Sequence, residues 1–247
     1  FATYGTLLGA VRHNGFIPWD DDLDMGMLRE DYDKFLQIAQ EELGEQFFIQ
    51  TPMTDPEYHL PFAKIRLNGT RFVEHGMEEG QIRDGIYIDI FPYDNIYDEP
   101  KKRKKQFRSS GFWTRVYSAR MMKTPQIASR GGMDHVVRLI WFLLHHGMKM
   151  LHISKRGMWA KLESTAIASK SQNDTKKIGV LLGDGLHGMI NRSDVETLID
   201  HPFEDIQILI PSGYEHILTQ NYGDYMKLPP KEQRVNHCPA ILEFGEY

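Results

Sequence analysis

The spacing of apolar and polar residues changes period several times along the chain. From Asp22 to Met27 the run Asp-Leu-Asp-Met-Gly-Met places polar or small residues at 22, 24 and 26 and apolar ones at 23, 25 and 27. Period two predicts a strand, with Asp22 and Asp24 on one face. Ahead of it, FATYGTLLGAVRH predicts a short strand ending at Gly5 and then a helical turn or two. Leu7, Leu8 and Val11 face inward there, and Pro18 stops the helix. Residues 29–43 carry Tyr32, Phe35, Leu36, Ala39 and Leu43 at helical spacing, with acids in the first turn. Short strands are predicted at FFIQ (47–50), FAKIRL (62–67), TRFVE (70–74) and YIDIFP (87–92). Helices alternating with strands predict a sheet with helices packed on it, of the α/β or α+β class.

Near Asp98 the pattern changes. KKRKK at 101–105 opens a mostly helical stretch to about residue 170, divided at Gly131-Gly132. From Lys176 short strands return (IGVLL, IQILI), followed by a helix near 212–221 and a Pro-bearing coil. The expected division is therefore 1–97 as a core, 98–175 as a helical insertion and 176–247 as a C-terminal part packing back on the core. No internal repeat is visible.

Composition narrows the class. The 247 residues, 41% hydrophobic and 26% charged, suffice for a sizeable core and argue against disorder. A formal charge of −5 gives no basic excess for nucleic acid. The single cysteine, Cys238, leaves no internal disulfide and no cysteine-based zinc cluster. No basic-then-apolar leader is visible, and the apolar run LIWFLL (139–144) is far short of the ~20 residues of a membrane span. A reducing, cytoplasmic location is the expectation.

The chemistry gathers around GFIPWDDDLDMG (15–26). An acidic triplet is most simply a solvated surface loop, but Pro18 and Trp19 anchor this one and apolar residues alternate through it. Asp20, Asp22 and Asp24 match the first ligand positions of a calcium loop, yet Met25 and Asp31 stand where that loop wants Gly and Glu. Two aspartates at i and i+2 on a strand can instead share a divalent cation, Mg²⁺ or Mn²⁺, that neutralises a transferring phosphoryl group. Asp89, the lone acid of YIDIF, is a third carboxylate whose burial calls for a metal, a hydrogen-bond network or a salt bridge to Lys64 or Arg66. Gly5-Thr6 opens a helix, where backbone N–H groups and a hydroxyl suit a phosphate.

The run YGTLLGAVRHNGFIPWDDDLDMGM resembles the signature of the LicD family of phosphocholine transferases, which includes the fukutin-related proteins. The resemblance continues in FAKIRLNGT (62–70), YIDIFPYD (87–94), PFED (202–205), IPSGYEHIL (210–218) and YGDYMKLPP (222–230), and is weak over 98–175. It implies an α+β fold of the nucleotidyltransferase superfamily, with a polymerase beta-like mixed sheet. It implies Asp22, Asp24 and Asp89 as catalytic metal ligands with Asp20 assisting from the loop, and Gly5 and Thr6 as the donor-phosphate grip. Lys64 and Arg66 would face the same cleft and bind the donor by neutralising its charge, or be surface or salt-bridge residues. The implied reaction moves phosphocholine from CDP-choline to a sugar hydroxyl of a glycan or lipid-linked glycan, such as teichoic acid or lipopolysaccharide, releasing CMP.

Choline, a quaternary ammonium, calls for an aromatic cage or nearby acids, with Trp19, Tyr87, Phe91, Tyr93 and Trp113 as candidates. His237 follows the PP-containing tail as a possible substrate contact, with Cys238 where relatives often carry a second histidine. Competing readings are an Asp-x-Asp glycosyltransferase, transfer of another alcohol phosphate such as ribitol phosphate, transfer of the nucleotide itself, and a noncatalytic metal-binding domain. KKRKK reads most simply as a solvated helix face. With LIWFLL and the cations beyond it, the 101–156 region also suits peripheral contact with the inner face of an anionic membrane. The adjacent His145-His146 point apart on a helix and make no metal pair. GVLLGDGLHG (179–188) lacks the ending of a phosphate loop.

Overall fold

The computed structural model describes residues 1–73, 83–122, 134–170, 175–181, 188–234, 236 and 239–247. His237, Cys238, Glu74, Gly131-Gly132 and most of GVLLGDGLHG lie outside the described residues. The architecture is mixed α+β. Helix α1 (Tyr4–His13) leads into strand β1 (Asp24–Leu28), helix α2 (Arg29–Leu43) and strands β2 (Phe47–Gln50), β3 (Ala63–Leu67), β4 (Arg71–Val73) and β5 (Tyr87–Ile96). Helices α3 (Pro100–Met121), α4 (Asp134–Met150) and α5 (Lys155–Ala166) follow. Strands β6 (Lys177–Gly179), β7 (Met189–Asn191), β8 (Leu198–Phe203) and β9 (Ile206–Pro211), helix α6 (Tyr214–Tyr222) and strand β10 (Ile241–Glu243) complete the order.

The main sheet runs β2-β3-β5-β6-β7, with β1 also pairing β5. Only the β1–β5 pair is parallel among these, and β5 is the common neighbour of β1, β3 and β6. Its first half meets β1 and β3, and its last residues, Asp94–Ile96, meet β6. The described residues also form two separate antiparallel pairs, β8–β9 and β4–β10.

Several expectations are corrected in detail. The first residues form no strand ending at Gly5. The helix already starts at Tyr4, and only Ala2 makes an isolated bridge to Met25. That helix ends well before Pro18, because Asn14 adopts a left-handed conformation (φ 54°) and its N–H returns to the Ala10 carbonyl, while Gly15 N–H bonds Gly9 O. The alternating strand begins at Asp24, so Asp22 sits in the loop leading into it. The YIDIFP strand runs on to Ile96 through Pro92, whose missing N–H the sheet tolerates.

The largest core cluster draws on both ends of the chain. Leu7 and Leu8 of α1 pack with Tyr93 of β5, Ile178, Ile190, Phe203, Ile210 and Leu218. A second cluster joins α3 and α5 to the sheet through Tyr117, Trp159, Leu162, Ile96 and Leu181. Tyr32, Ala63 and Ile90 hold α2 on the sheet near β1 and β3. The strands that carry the acids are thus clamped on both sides.

Candidate active site

The register of three strands sets three charged side chains in one row. Asp24 of β1 is paired with Asp89 of β5, and Asp89 is paired with Lys64 of β3. In-register neighbours point to the same side of a sheet, so the row presents Asp24, Asp89 and Lys64 on one face. Asp22 joins from the loop before β1. Asp22, Asp24 and Asp89 each offer a carboxylate oxygen, and these atoms all lie within 4.8 Å of one another. The backbone keeps the loop in line, because Asp89 N–H donates to Leu23 O at 2.9 Å.

Lys64 is buried and its Nζ stands 2.8 Å from Asp89 Oδ1 and 3.2 Å from Oδ2. Only the contact to Oδ2 is aligned as a hydrogen bond, which leaves the buried Oδ1 without an aligned donor. The salt bridge considered for Asp89 therefore exists, and it does not satisfy the carboxylate. Arg66 is also buried, and its guanidinium donates to Gln50 Oε1 (2.5 Å) and Gly85 O (2.8 Å). Neither cation is a surface residue.

Helix α1 closes the site from the other side. Thr6, 2% exposed, accepts a hydrogen bond from Asp24 N–H at 2.8 Å, and Thr3 N–H donates to Asp24 O at 3.0 Å. The first turn of α1 is thereby tied to the acid-bearing strand. Asp20 lies against the same turn: a Cβ at Gly5 would stand 2.5 Å from its Oδ2. An acid at a helix N-terminus is favoured by the helix dipole, and glycine lets it approach. Gly5→Ala should push the flexible Asp20 side chain aside, so turnover falls while the melting temperature stays close to that of the parent; parallel activity and thermal-melt measurements check this.

Electrostatics at the row are those of too many acids in too little water. Burial pushes the Asp24 carboxyl up to about 8, helped by Asp22, Asp89 and Asp20 and opposed by Lys64. Burial pushes Asp89 up to about 6, against the pull of Lys64. The donor set fits a hard divalent cation. It is made of oxygens only, it includes a buried oxygen with no aligned donor, and its acids resist ionisation without added positive charge.

The linkage has a definite sign. An acid whose folded pKa is raised adds stability below its unfolded value near 4, and that stability is lost as pH rises through the folded value. Without added metal the melting temperature should thus decline from about pH 4 to pH 8 as far as Asp24 and Asp89 govern it. Protons compete with cations for the same oxygens, so millimolar Mg²⁺ or Mn²⁺ should raise the melting temperature more at pH 8 than at pH 5. Thermal melts at both pH values check it.

The aromatic candidates separate. Tyr87 is buried with Lys64 Nζ 3.3 Å from its ring centroid and Arg66 at 5.0 Å, so the protein's own cations take its faces. Tyr93 is buried and shares a 2.6 Å hydrogen bond with Thr3. Phe91 packs on Phe62 and Tyr4. Trp113 belongs to the helical cluster and is not brought to the row. Trp19 is half-buried just before Asp20, with the Arg234 guanidinium 4.9 Å from its ring centroid.

Two tyrosines not selected from the sequence stand close to the acids. Tyr4 holds a left-handed backbone conformation (φ 43°), unusual for a bulky residue and typical of strain kept at functional sites. Its phenol is raised well above the usual range by burial, with Tyr93 and Asp24 adding to the effect. Tyr222, at the end of α6, has 44% of its surface exposed, yet its phenol is pushed up to about 12 by burial and by the charges of Asp24 and Asp20. The ring is reachable, and the charges of Asp24 and Asp20 act on its phenol. Tyr4 adjoins the Gly-Thr pair, which could have drawn notice; nothing in the sequence pattern marks Tyr222.

A cleft of about 380 Å³ lies elsewhere, around Arg29, Asp94, Asn95, Lys170 and Arg192. Its cations are each engaged by a neighbouring residue: Arg29 by Asp94, Lys170 by Asp33, and Arg192 by Asn95. It is a seam between β5 and the helices, and the carboxylate row is the better site.

Comparison with known proteins agrees with the motifs at this row. Residues 1–126, about half of the chain, match the family described as "LicD/FKTN/FKRP, nucleotidyltransferase domain". The chain is 30% identical over 250 residues to "Lipopolysaccharide cholinephosphotransferase LicD" of Haemophilus influenzae, covering 94% of this chain and 84% of that protein. Shorter matches join it to uncharacterised proteins of Rickettsia typhi (68% over 34 residues, 14% of this chain and 11% of that one) and Rickettsia prowazekii (60% over 42 residues, 16% of each).

Proposed function

Since the chain belongs to the LicD family, we propose that it transfers phosphocholine from CDP-choline to a sugar hydroxyl of a lipopolysaccharide or teichoic-acid type glycan, releasing CMP. The observation that carries this reading is the register row Asp24–Asp89–Lys64 with Asp22 beside it, built from the matched motifs. We read the mixed sheet as nucleotidyltransferase-like, with 1–97 as the catalytic part, 98–175 as a helical insertion and 176–247 as the part that completes the core.

In this reading Asp22, Asp24 and Asp89, with Asp20 at the rim, hold Mg²⁺ or Mn²⁺. When bound, the cation neutralises charge on the transferring phosphoryl group. The acceptor oxygen attacks the phosphorus that bears choline, the bond from that phosphorus to the CMP oxygen breaks, and the hydroxyl proton passes to Asp89. Phosphoryl transfer asks a protein chiefly for positioning and charge neutralisation. Thr6 serves by fixing Asp24, and Gly5 by admitting Asp20 beside the first turn of α1. Lys64 keeps Asp89 oriented and partly ionised. Tyr4 and Tyr222, beside the acids Asp20 and Asp24, offer ring faces and negative charge to a quaternary ammonium.

A donor panel tests the reading. The protein is incubated with a lipopolysaccharide acceptor, Mg²⁺ or Mn²⁺, and in turn CDP-choline, CDP-ribitol and nucleotide sugars, and the glycan is weighed by mass spectrometry. A gain of phosphocholine from CDP-choline alone supports it. A gain of sugar places the chain among glycosyltransferases and overturns it, and a gain of ribitol phosphate replaces choline as the transferred alcohol.

A further inference from the structure

Helix α4 presents an apolar face outward. Trp141, His145 and Met148, spaced i, i+4 and i+7, form its packed side: Trp141 Nε1 donates to Met122 O, His145 Nδ1 bonds Ala119 O, and Met148 packs on the α3–α5 cluster. The opposite side carries Val136, Leu139, Ile140, Phe142, Leu143 and Leu144, each 48–60% exposed. Met150 and Leu151 continue it at 75% and 70%. Single exposed apolar residues are ordinary, but a contiguous face along a whole helix marks a contact surface.

Charge identifies the partner. Arg138 and Lys149, both exposed, lie about three helical turns apart and so share one flank of this face. The sequence holds no Asp or Glu between Asp134 and Glu163, while Arg138, Lys149, Lys155, Arg156 and Lys161 fall within that interval. Lys155 is answered by Glu57, but a twofold dimer through α4 would set Arg138 and Lys149 against their own copies with Asp134 as the one acid of the helix. An anionic bilayer supplies both the apolar depth and the negative charge. Among the described residues no helix is long and apolar enough to cross a membrane, so the helix would lie in the interface plane.

We propose that the outer face of α4 seats the protein on an anionic lipid surface, with Leu139, Ile140 and Leu143 in the acyl boundary and Arg138 and Lys149 at the headgroups. The proposal does not depend on the transferase reading, since binding is measured without donor or acceptor.

The test is flotation of the full chain with phosphatidylcholine vesicles containing about one-third phosphatidylglycerol, against phosphatidylcholine alone, at low salt and at ~0.5 M salt. The expected result is flotation with the anionic vesicles, weakened by salt. The Leu139→Glu/Leu143→Glu variant, altered only at exposed positions, should partition on the order of a hundredfold less. Circular dichroism checks its fold, and Arg138→Glu/Lys149→Glu gives a second variant that should lose the preference for anionic vesicles. Wild type that stays unfloated at low salt overturns the proposal, as does wild-type flotation by both variants. A dimer in solution that Leu139→Glu/Leu143→Glu dissolves, without vesicle binding by the parent, assigns the face to a second copy instead.

Discussion

Asp24→Asn is expected to lower phosphocholine transfer by on the order of a thousandfold or more, because it removes a central carboxylate of the row proposed to hold the cation. The same change should leave the metal-free protein at least as stable as the parent at pH 8. Asp24 is held up to about 8 by burial and by Asp22, Asp89 and Asp20, so a neutral amide relieves repulsion that the folded chain otherwise bears. Loss of activity with retained or increased melting temperature separates a role in chemistry from a role in folding. Asp21→Asn is the matched control. It lies in the same acidic run but outside the three-carboxylate group, and turnover should stay near that of the parent. Steady-state kinetics and thermal melts on the two variants check both statements.

Arg29→Ala should instead unfold the protein readily. Arg29 is 6% exposed and holds Asp94, 1% exposed, through a bidentate pair: Nε to Oδ1 at 2.6 Å and Nη2 to Oδ2 at 2.9 Å. Removing one member of a buried pair strands the other and costs about 3–5 kcal/mol. At this chain length that is a fall in melting temperature on the order of 10 °C. Replacing both residues by apolar ones of similar volume, Arg29→Met with Asp94→Leu, should recover much of the loss, because the desolvation cost disappears with the charges. Urea titration of the single and double variants measures it.

The acidic row and the Arg29–Asp94 pair differ in how much of each is legible in the sequence. Asp24 and Asp89 stand out because strand period two and an isolated acid among isoleucines are local signals, whereas Asp22, read onto the same strand face, lies in the loop before β1. That Asp89 sits directly beside both Asp24 and Lys64 is a matter of register between distant strands, and no local pattern encodes it. The same holds for Arg29, which reads as an ordinary first-turn residue of α2 until β5 brings Asp94 to it. At the N-terminus the signal was misleading. The Thr3-Tyr4-Gly5 stretch looks extended, but tertiary bonds from Thr3 N–H to Asp24 O and from Asp24 N–H to the Thr6 hydroxyl favour the helix from Tyr4 onward. Asn14-Gly15, not Pro18, ends that helix, since asparagine tolerates the left-handed conformation a C-terminal cap needs. Of the β8–β9 pair, IQILI reads as a strand, whereas β8 escapes because Leu198–Phe203 is largely exposed and carries little alternation.

The most direct test of the account is phosphorus NMR of a reaction containing the wild-type protein, Mg²⁺, CDP-choline and a lipopolysaccharide acceptor. Free CMP is expected to appear together with a phosphodiester joining choline to the glycan, and Asp24→Asn is expected to give neither. Free phosphocholine with CMP attached to the glycan would show that the nucleotide is the transferred group, and would contradict the assignment of this row to phosphocholine transfer.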